Sequence, residues 1–492
     1  MAEEVKFPDI KTFGREVLYS SYDYVDERNI IEVLESVKPL YLKNQSEIIF
    51  LQNYRRGIQP VLGRTKKVRP DICNKVVKNR ANEIVTFKTG YLLGEPIQYI
   101  ARDSDNKIAE ELKDLNDNMY ISKKSNLDKR LAENMYVCGT SYRMVLANPK
   151  YEKGSKLSPF NIYVPNPAFN GIVYHTGLGN KPLLCFTDIV FRDTIEDKDK
   201  HKFCCYTDNT YFEVVDNAIV KIQSHTYGRI PMVEYPANSC RMGAFEPVIS
   251  ILNAINLVTS NRIDGVEQFI QSLMKFINVD IDKEGLELLS ELGAIKLIGK
   301  GGNGDKQDVE FMTAELNQTQ IQTLVDSLDQ DVLILCGMPN RNGGSSTSDT
   351  GSAVIMRDGW SDAEARAKED ELMFKDSELD FLDIVLNIIQ TLNGGDLSLS
   401  DIDIRFTRKN YENITQKSTV LTTMLGCNKI HPRLAFSHCG LFADPEVAYA
   451  MSKEYYDEVS KPVVTEVPNN PKVDEEKPKS TEEADNEENT GT

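Results

Sequence analysis

The chain has 492 residues, 57 Lys and Arg against 75 Asp and Glu for a formal net charge of −18, and 40% apolar residues. That length suits about three compact units of soluble, globular composition, and 29 Gly with 20 Pro exclude collagen-like and low-complexity classes for most of the chain. No apolar run approaches the roughly 20 residues of a membrane span, and the acidic start from Met1 to Pro8 lacks a signal peptide's apolar stretch.

The expected setting is cytosol. Nine scattered cysteines, an odd number without a Cys-x-x-Cys pair, point to reduced thiols. Asn44-Gln-Ser, Asn317-Gln-Thr and Asn413-Ile-Thr match the glycosylation acceptor pattern by chance, because that chemistry needs a secretory route.

In chain order, the N-terminal region alternates short strands with helices, which makes an α+β domain. Leu92 to Tyr99 reads as a turn then a strand, and Leu127 to Cys138 as a helix. Ser141 to Ala147, Asn161 to Val164 and pieces from Gly171 to Val233 read as strands joined by Gly, Asn and Pro turns. From Phe245 to Lys275 the apolar residues Val248, Ile251, Leu252, Ile255, Val258, Ile263, Val266, Phe269, Ile270 and Leu273 fall near one helix face, predicting a helix of about 45 Å. A strand at Phe276–Ile281, a short helix near Glu284–Leu292 and strands at Ala294–Ile298 and Val309–Met312 follow. Thr313 to Cys336 repeats Leu316, Ile321, Leu324, Val325, Leu328, Val332 and Leu335 at three and four, and Gly337 followed by Pro339 stops that helix after about 35 Å. Two long helices thus bracket a small α/β insert.

Met338 to Thr350 is a run of small polar residues with too little apolar surface to order itself, so it should be mobile. A third helix spans Ser352 to Leu392 and ends at Asn393-Gly-Gly-Asp. After the strand at Asp403–Thr407, shorter helices occupy Thr415–Leu425, Pro432–His438 and Asp444–Asp457. From Ser460 the chain carries nine acids against four lysines and almost no large apolar residues, the composition of a disordered acidic tail.

Charge is unevenly placed. Leu51 to Gly90 holds ten Lys or Arg (Arg55, Arg56, Arg64, Lys66, Lys67, Arg69, Lys75, Lys78, Arg80, Lys88) against Asp71 and Glu83, a net of +8. Asp358 to Asp383 holds ten acids against Arg366, Lys368 and Lys375, a net of −7. The basic block reads either as a nucleic-acid groove or as a solvated or subunit-facing surface, and opposite blocks could pair between neighbouring copies.

Catalytic chemistry finds little support. Gly299-Lys-Gly-Gly-Asn-Gly-Asp305 could cradle a phosphate, the feature that would favour an enzyme acting on nucleotides. However, Ala294 stands where a P-loop needs its first Gly, Lys300 is followed by Gly301, and a strand follows, so a tight strand connection is the better reading. His175, His201, His225, His431 and His438 make no helical metal pair, and Cys204 and Cys205 on a strand point to opposite faces. No catalytic residue, cofactor or metal is expected.

Two long helices carrying an α/β insert, then a Gly/Ser loop and a further long helix, form an order that resembles the portal proteins of tailed bacteriophages, of the siphophage type. The resemblance runs from about Asp26 to Asp457. It rests on Asn53-Tyr-Arg-Arg-Gly-Ile-Gln-Pro-Val61, Ile84-Val-Thr-Phe-Lys-Thr-Gly-Tyr-Leu-Leu-Gly-Glu-Pro-Ile97, Gly228-Arg-Ile-Pro-Met-Val-Glu-Tyr235 leading into Gly243-Ala-Phe-Glu-Pro-Val-Ile249, and Thr350-Gly-Ser-Ala-Val-Ile-Met356.

That resemblance implies a portal fold within the α+β class. Residues 1–244 and 351–410 would form an α/β wing with its long helix, 245–275 and 313–337 a two-helix stem, and 276–312 a small α/β clip. Residues 338–350 would be the tunnel loop, 411–459 a helical crown, and 460–492 the tail. It also implies a dodecamer at one capsid vertex, assembled in host cytoplasm and carried in the virion, through which double-stranded DNA is packaged and ejected. The implied partners are the terminase large subunit, whose ATPase supplies the energy, head-completion or adaptor proteins, scaffold and the major capsid protein, with no membrane. The clip residues Lys283, Glu284, Glu287, Lys296, Lys300, Asn303, Asp305 and Lys306 would meet the motor and connector. Asn340, Arg341, Asn342, Gly343, Gly344, Ser345 and Ser346 would face DNA. Arg341 is the only charge in the loop before Asp349, so contact with phosphates should be transient.

Because a basic bore would bind DNA and slow its passage, the channel wall should be mainly negative. The basic block should lie away from the narrow bore, paired with a neighbour's acids. The alternative class is a nucleic-acid-binding structural module without a ring.

Overall fold

In a computed structural model, the residues described are 14–102, 106–192, 200–270, 273–277, 308–312, 318–340, 359–407, 414–442 and 445–459. The chain divides into two compact units, residues 1–413 and 414–492. Helices and strands mix in small sheets, which makes the fold α+β.

The first unit begins with β1 (Leu18–Ser20) and α1 (Ile30–Arg55). Helix α1 holds its apolar residues on one face at a spacing of three and four, but that face serves two cores. Ile30, Val33, Val37 and Tyr41 pack with Leu184, Phe186, Phe212 and Val214, whereas Ile48, Leu51 and Tyr54 join the main core. Next come α2 (Arg80–Leu92), β2 (Gln98–Ala101), α3 (Asn106–Ile121), α4 (Lys124–Cys138), β3 (Thr140–Ala147) and β4 (Phe160–Tyr163). The strands β5 (Asn170–His175), β6 (Pro182–Phe191), β7 (Lys200–Tyr206), β8 (Thr210–Val215), β9 (Ala218–Ser224) and β10 (Met232–Pro236) follow. One sheet runs β1-β5-β6-β7-β8-β9, with β1 parallel to β5 and the remaining pairs antiparallel. A second runs β10-β3-β4.

The long helices come last: α5 (Ile249–Ile270), then the pair β11 (Leu273–Ile277) and β12 (Asp308–Met312), α6 (Gln318–Cys336) and α7 (Trp360–Asn393). Strand β13 (Ile402–Arg405) pairs antiparallel with β2, so residues about 300 positions apart share a ladder. The main core gathers Leu131, Met135, Tyr136, Phe160, Tyr235, Phe245, Leu252, Phe374 and Phe381 from α4, both flanks of the second sheet, α5 and α7.

The first long helix is shorter than its apolar pattern suggests. It ends at Ile270, and residues 273–277 instead pair antiparallel with Asp308–Met312, Leu273 opposite Met312 and Ile277 opposite Asp308. The sequence Leu-Met-Lys-Phe-Ile fits a two-residue period as well as a helical one, and the ladder decides between them. The strand expected at Phe276–Ile281 therefore begins three residues early. Helix α6 and strand β12 fall where expected, while the short helix at Glu284–Leu292 and the strand at Ala294–Ile298 lie outside the described residues.

Helices α8 (Ile414–Leu425), α9 (Pro432–His438) and α10 (Pro445–Val459) form the second unit, at the positions read from sequence. Phe436 stacks on Phe442 at 5.3 Å and meets Tyr449 edge-on at 5.8 Å. The acidic tail from Ser460 lies outside the described residues.

Candidate functional site

Helices α5 and α6 lie side by side, with Leu252 and Ile255 of one and Val332 and Cys336 of the other buried in the main core. The stripe of α5 that continues from Leu252 is polar, and it is equally buried. Asn256 and Ser260 are 0% exposed and Asp264 is 3% exposed. These residues sit four apart, on one line of the helix. Asn256 Oδ1 accepts the backbone N–H of Lys78 at 2.7 Å, Ser260 Oγ that of Val76 at 3.0 Å, and Asp264 Oδ1 that of Asn74 at 2.7 Å. Four helical residues rise about 6 Å and two extended residues about 6.6 Å, so an extended strap can run antiparallel to α5 with every second amide satisfied.

Basic side chains close this strap. Arg64 and Lys66 reach Asp264 at 2.9 and 3.2 Å, and they also donate to the backbone carbonyls of Asn74 and Ile72. Burial opposes the charge on Asp264, but these donors and both amides of Asn74 bring its carboxyl down to about 2. Farther along, Lys78 and Arg80 share Asp329 of α6 at 2.5 and 3.1 Å. The strap therefore holds both helices at once. Arg55 pairs with Glu133, Arg69 with Asp71 and Lys88 with Asp370. These cations thus have acidic partners within the chain: the strap's Arg64, Lys66, Lys78 and Arg80 meet acids of α5 and α6, while Arg55 of α1 and Lys88 of α2 meet α4 and α7.

The end of α6 is closed by a Schellman turn. Gly337, at φ +63°, donates to Ile334 O at 3.1 Å, and Met338 donates to Leu333 O at 2.8 Å. Gly337, Met338 and Pro339 are buried and Asn340 is half-buried. Helix α7 starts after Gly359, at φ +79°, where a Cβ would lie 3.9 Å from Pro339 Cα. The chain between Asn340 and Gly359 thus leaves and returns at neighbouring points.

Helix α7 is fixed by a buried ionic cluster. Glu378 accepts from Arg143 at 2.9 Å, Lys124 at 2.8 Å and Tyr235 at 2.9 Å, and from Tyr99, while Asp128 pairs with Lys124 at 2.6 Å and with Arg143. Arg143 lies between the rings of Tyr235 and Phe381 at 4.8 and 4.4 Å. Burial would raise the Glu378 carboxyl, yet the two cations hold it well below its usual range. Two cations and two anions leave the cluster neutral.

Of the residues proposed from sequence, Asn340 sits at the foot just described. Arg341, Asn342, Gly343, Gly344, Ser345 and Ser346 lie outside the described residues, as do Lys283, Glu284, Glu287, Lys296, Lys300, Asn303, Asp305 and Lys306. The structure adds Asn256, Ser260, Asp264, Asp329 and Arg366, which no motif singled out. The only sequence signal for the first three is the i, i+4, i+8 polar line on α5; Asp329 and Arg366 have none. Among the described residues no group of three or more His, Cys, Asp or Glu is placed to hold a metal, and no helix is long and apolar enough to cross a membrane. All nine cysteines are free.

The sequence matches the family model described as phage portal protein, SPP1 Gp6-like, over residues 35–476. Among solved structures, the chain is similar to one described as the neck of an empty GTA particle computed with C6 symmetry. That likeness has 9% identity and a TM-score of 0.42, and covers 73% of this chain and 90% of that one. No curated protein matches.

Proposed function

The chain belongs to the SPP1 Gp6-like family of phage portal proteins, and from that premise we propose that twelve copies form a ring at one capsid vertex, through whose channel double-stranded DNA is packaged and later ejected. The family is structural, and this protein has no catalysis of its own; a terminase ATPase supplies the work. Residues 245–275 and 313–337 form the stem, 276–312 the clip that receives the terminase large subunit and then the head-completion or adaptor proteins. Residues 1–244 and 351–410 form the wing, and 411–459 the crown. The ring nucleates procapsid assembly with scaffold and major capsid protein in the host cytoplasm, then remains in the virion. Asn340 to Ser346 face DNA, with Arg341 and its neighbours Asn340 and Asn342 touching phosphates transiently, and Lys283, Glu284, Glu287, Lys296, Lys300, Asn303, Asp305 and Lys306 contact the docked motor or connector.

One observation carries the reading. On α5, Leu257, Ile263 and Val266 are 46%, 40% and 44% exposed, and on α6, Leu324, Ile334 and Leu335 are 49%, 70% and 53% exposed. These six large apolar side chains, open on two packed helices, are surface that adjacent copies in a closed ring would bury. The internal pairing of Arg64, Lys66, Lys78 and Arg80 removes much of the support for a free DNA-binding groove.

Light-scattering mass of the purified protein tests the reading. About twelve times the 55.6 kDa subunit is expected. A uniform monomer or dimer across salt and protein concentration would overturn it.

A further inference from the structure

The two feet of the segment between Asn340 and Gly359 are joined by one side chain. Arg366, seven residues into the chain after Gly359, reaches across from α7 to the last turn of α6. Its Nη1 donates to Leu335 O at 2.9 Å and its Nη2 to Ile334 O at 3.4 Å. Those carbonyls belong to the last turn, where Ile334 O already takes the Gly337 N–H and the guanidinium adds a second donor, and its positive charge meets the negative end of the helix dipole. The alkyl part of the side chain is equally placed: Arg366 Cδ lies 2.1 Å from where a Cβ on Gly337 would be, so only glycine leaves room for it. Two helical turns separate Arg366 from Gly359, and Gly359 in turn abuts Pro339. Trp360 is set against Phe87 and Tyr91 of α2, at 6.2 and 6.1 Å between ring centres.

We propose that Arg366 is a positioning residue that ties the last turn of α6 to the first turns of α7, so that both feet move as one body and the segment between them springs from a fixed base. Arginine suits this task better than lysine because its fork engages two carbonyls together. The geometry stands without any functional assignment. Its consequence for DNA contact by the residues between the two feet rests on the portal reading above.

The test uses the purified full-length protein, without DNA, as Arg366→Ala and Arg366→Lys. Hydrogen exchange is followed in peptides covering 333–340 and 359–366, together with acrylamide quenching of Trp360, the chain's one tryptophan. Arg366 is exposed, so both variants should fold. Arg366→Ala is expected to speed exchange roughly two- to fivefold at both feet and to increase quenching, with Arg366→Lys intermediate. Unchanged exchange at both feet would overturn the proposal. So would loosening confined to 333–340 with Trp360 quenched as before, which is what a simple helix cap would give. A failed result here leaves the ring reading untouched, and a monomeric mass leaves this result standing.

Discussion

Asn74 and Asp264 are joined twice at a single oxygen: the backbone N–H and the side-chain amide of Asn74 both donate to Asp264 Oδ1, at 2.7 and 3.0 Å. The other carboxylate oxygen takes Arg64 and Lys66. Removing Asp264 would take the shared carboxylate from two cations and two amides in a site that is 3% exposed, leaving the cations only carbonyl and amide oxygens and the Asn74 backbone N–H unsatisfied. Asp264→Ala should cost about 3–5 kcal/mol, and Asp264→Asn, which can still accept from Asn74, about 1–3 kcal/mol. Urea unfolding gives the totals, and hydrogen exchange should rise first in residues 64–78. A loss below about 0.5 kcal/mol for both variants would mean the strap contributes little.

The same carboxylate sets an acid limb. Against the burial that opposes its charge, the donors around the folded Asp264 carboxyl bring it to about 2, from an ordinary aspartate value of 3.8. A lowered acid stabilises the fold above its unfolded value and loses that contribution as pH falls through the folded one. Stability should therefore drop between about pH 4 and pH 2, by at most about 2 kcal/mol from this group and less after solvent screening. Glu234 and Glu378 act in the same sense, whereas Glu47, raised by burial, opposes them. Chemical denaturation at stepped pH should show a shallower acid limb in Asp264→Asn than in wild type; identical slopes would contradict the assignment.

The buried cluster around Glu378 makes a different prediction. Glu378→Leu leaves Arg143, which is 0% exposed, and Lys124 to share Asp128, an excess buried positive charge that should cost about 3–5 kcal/mol. Replacing both, as Arg143→Met with Glu378→Leu, leaves Lys124 paired with Asp128 at 2.6 Å and should recover part of that loss. A double-mutant cycle by thermal unfolding measures the coupling. Additive losses would show that the two charges do not depend on each other.

The sequence revealed most of the helices from the middle of the chain onward, because Val248, Leu252, Ile255, Val325, Val332 and the residues of α7 repeat at helical spacing. It did not reveal α1. That helix divides its face between two cores around Tyr41 and Ile48 and carries Pro39 inside it, so it lacks a single uninterrupted stripe and looks broken. The strap was hidden for a related reason. Asn256, Ser260 and Asp264 look like the solvent face of an amphipathic helix, and only a segment some 180 residues earlier explains why they are buried. The basic block was legible as charge but not as a set of partners, since Asp264 and Asp329 lie far away in sequence. Arg366 carried no signal at all: its role depends on where α6 stops.

The open apolar residues on α5 and α6 can be tested one at a time. Ile334 is 70% exposed, so Ile334→Asp should leave subunit stability within about 0.5 kcal/mol of wild type. In the ring reading the same change should shift the light-scattering mass toward single subunits. A mass unchanged from wild type would place Ile334 outside the contacts between copies.

The central claim is a ring with a channel, and negative-stain electron microscopy of the purified protein tests it most directly. The account predicts closed rings of about a dozen subunits with a central stain-filled hole. Uniform small particles without a hole, under salt and protein concentrations that permit assembly, would contradict it.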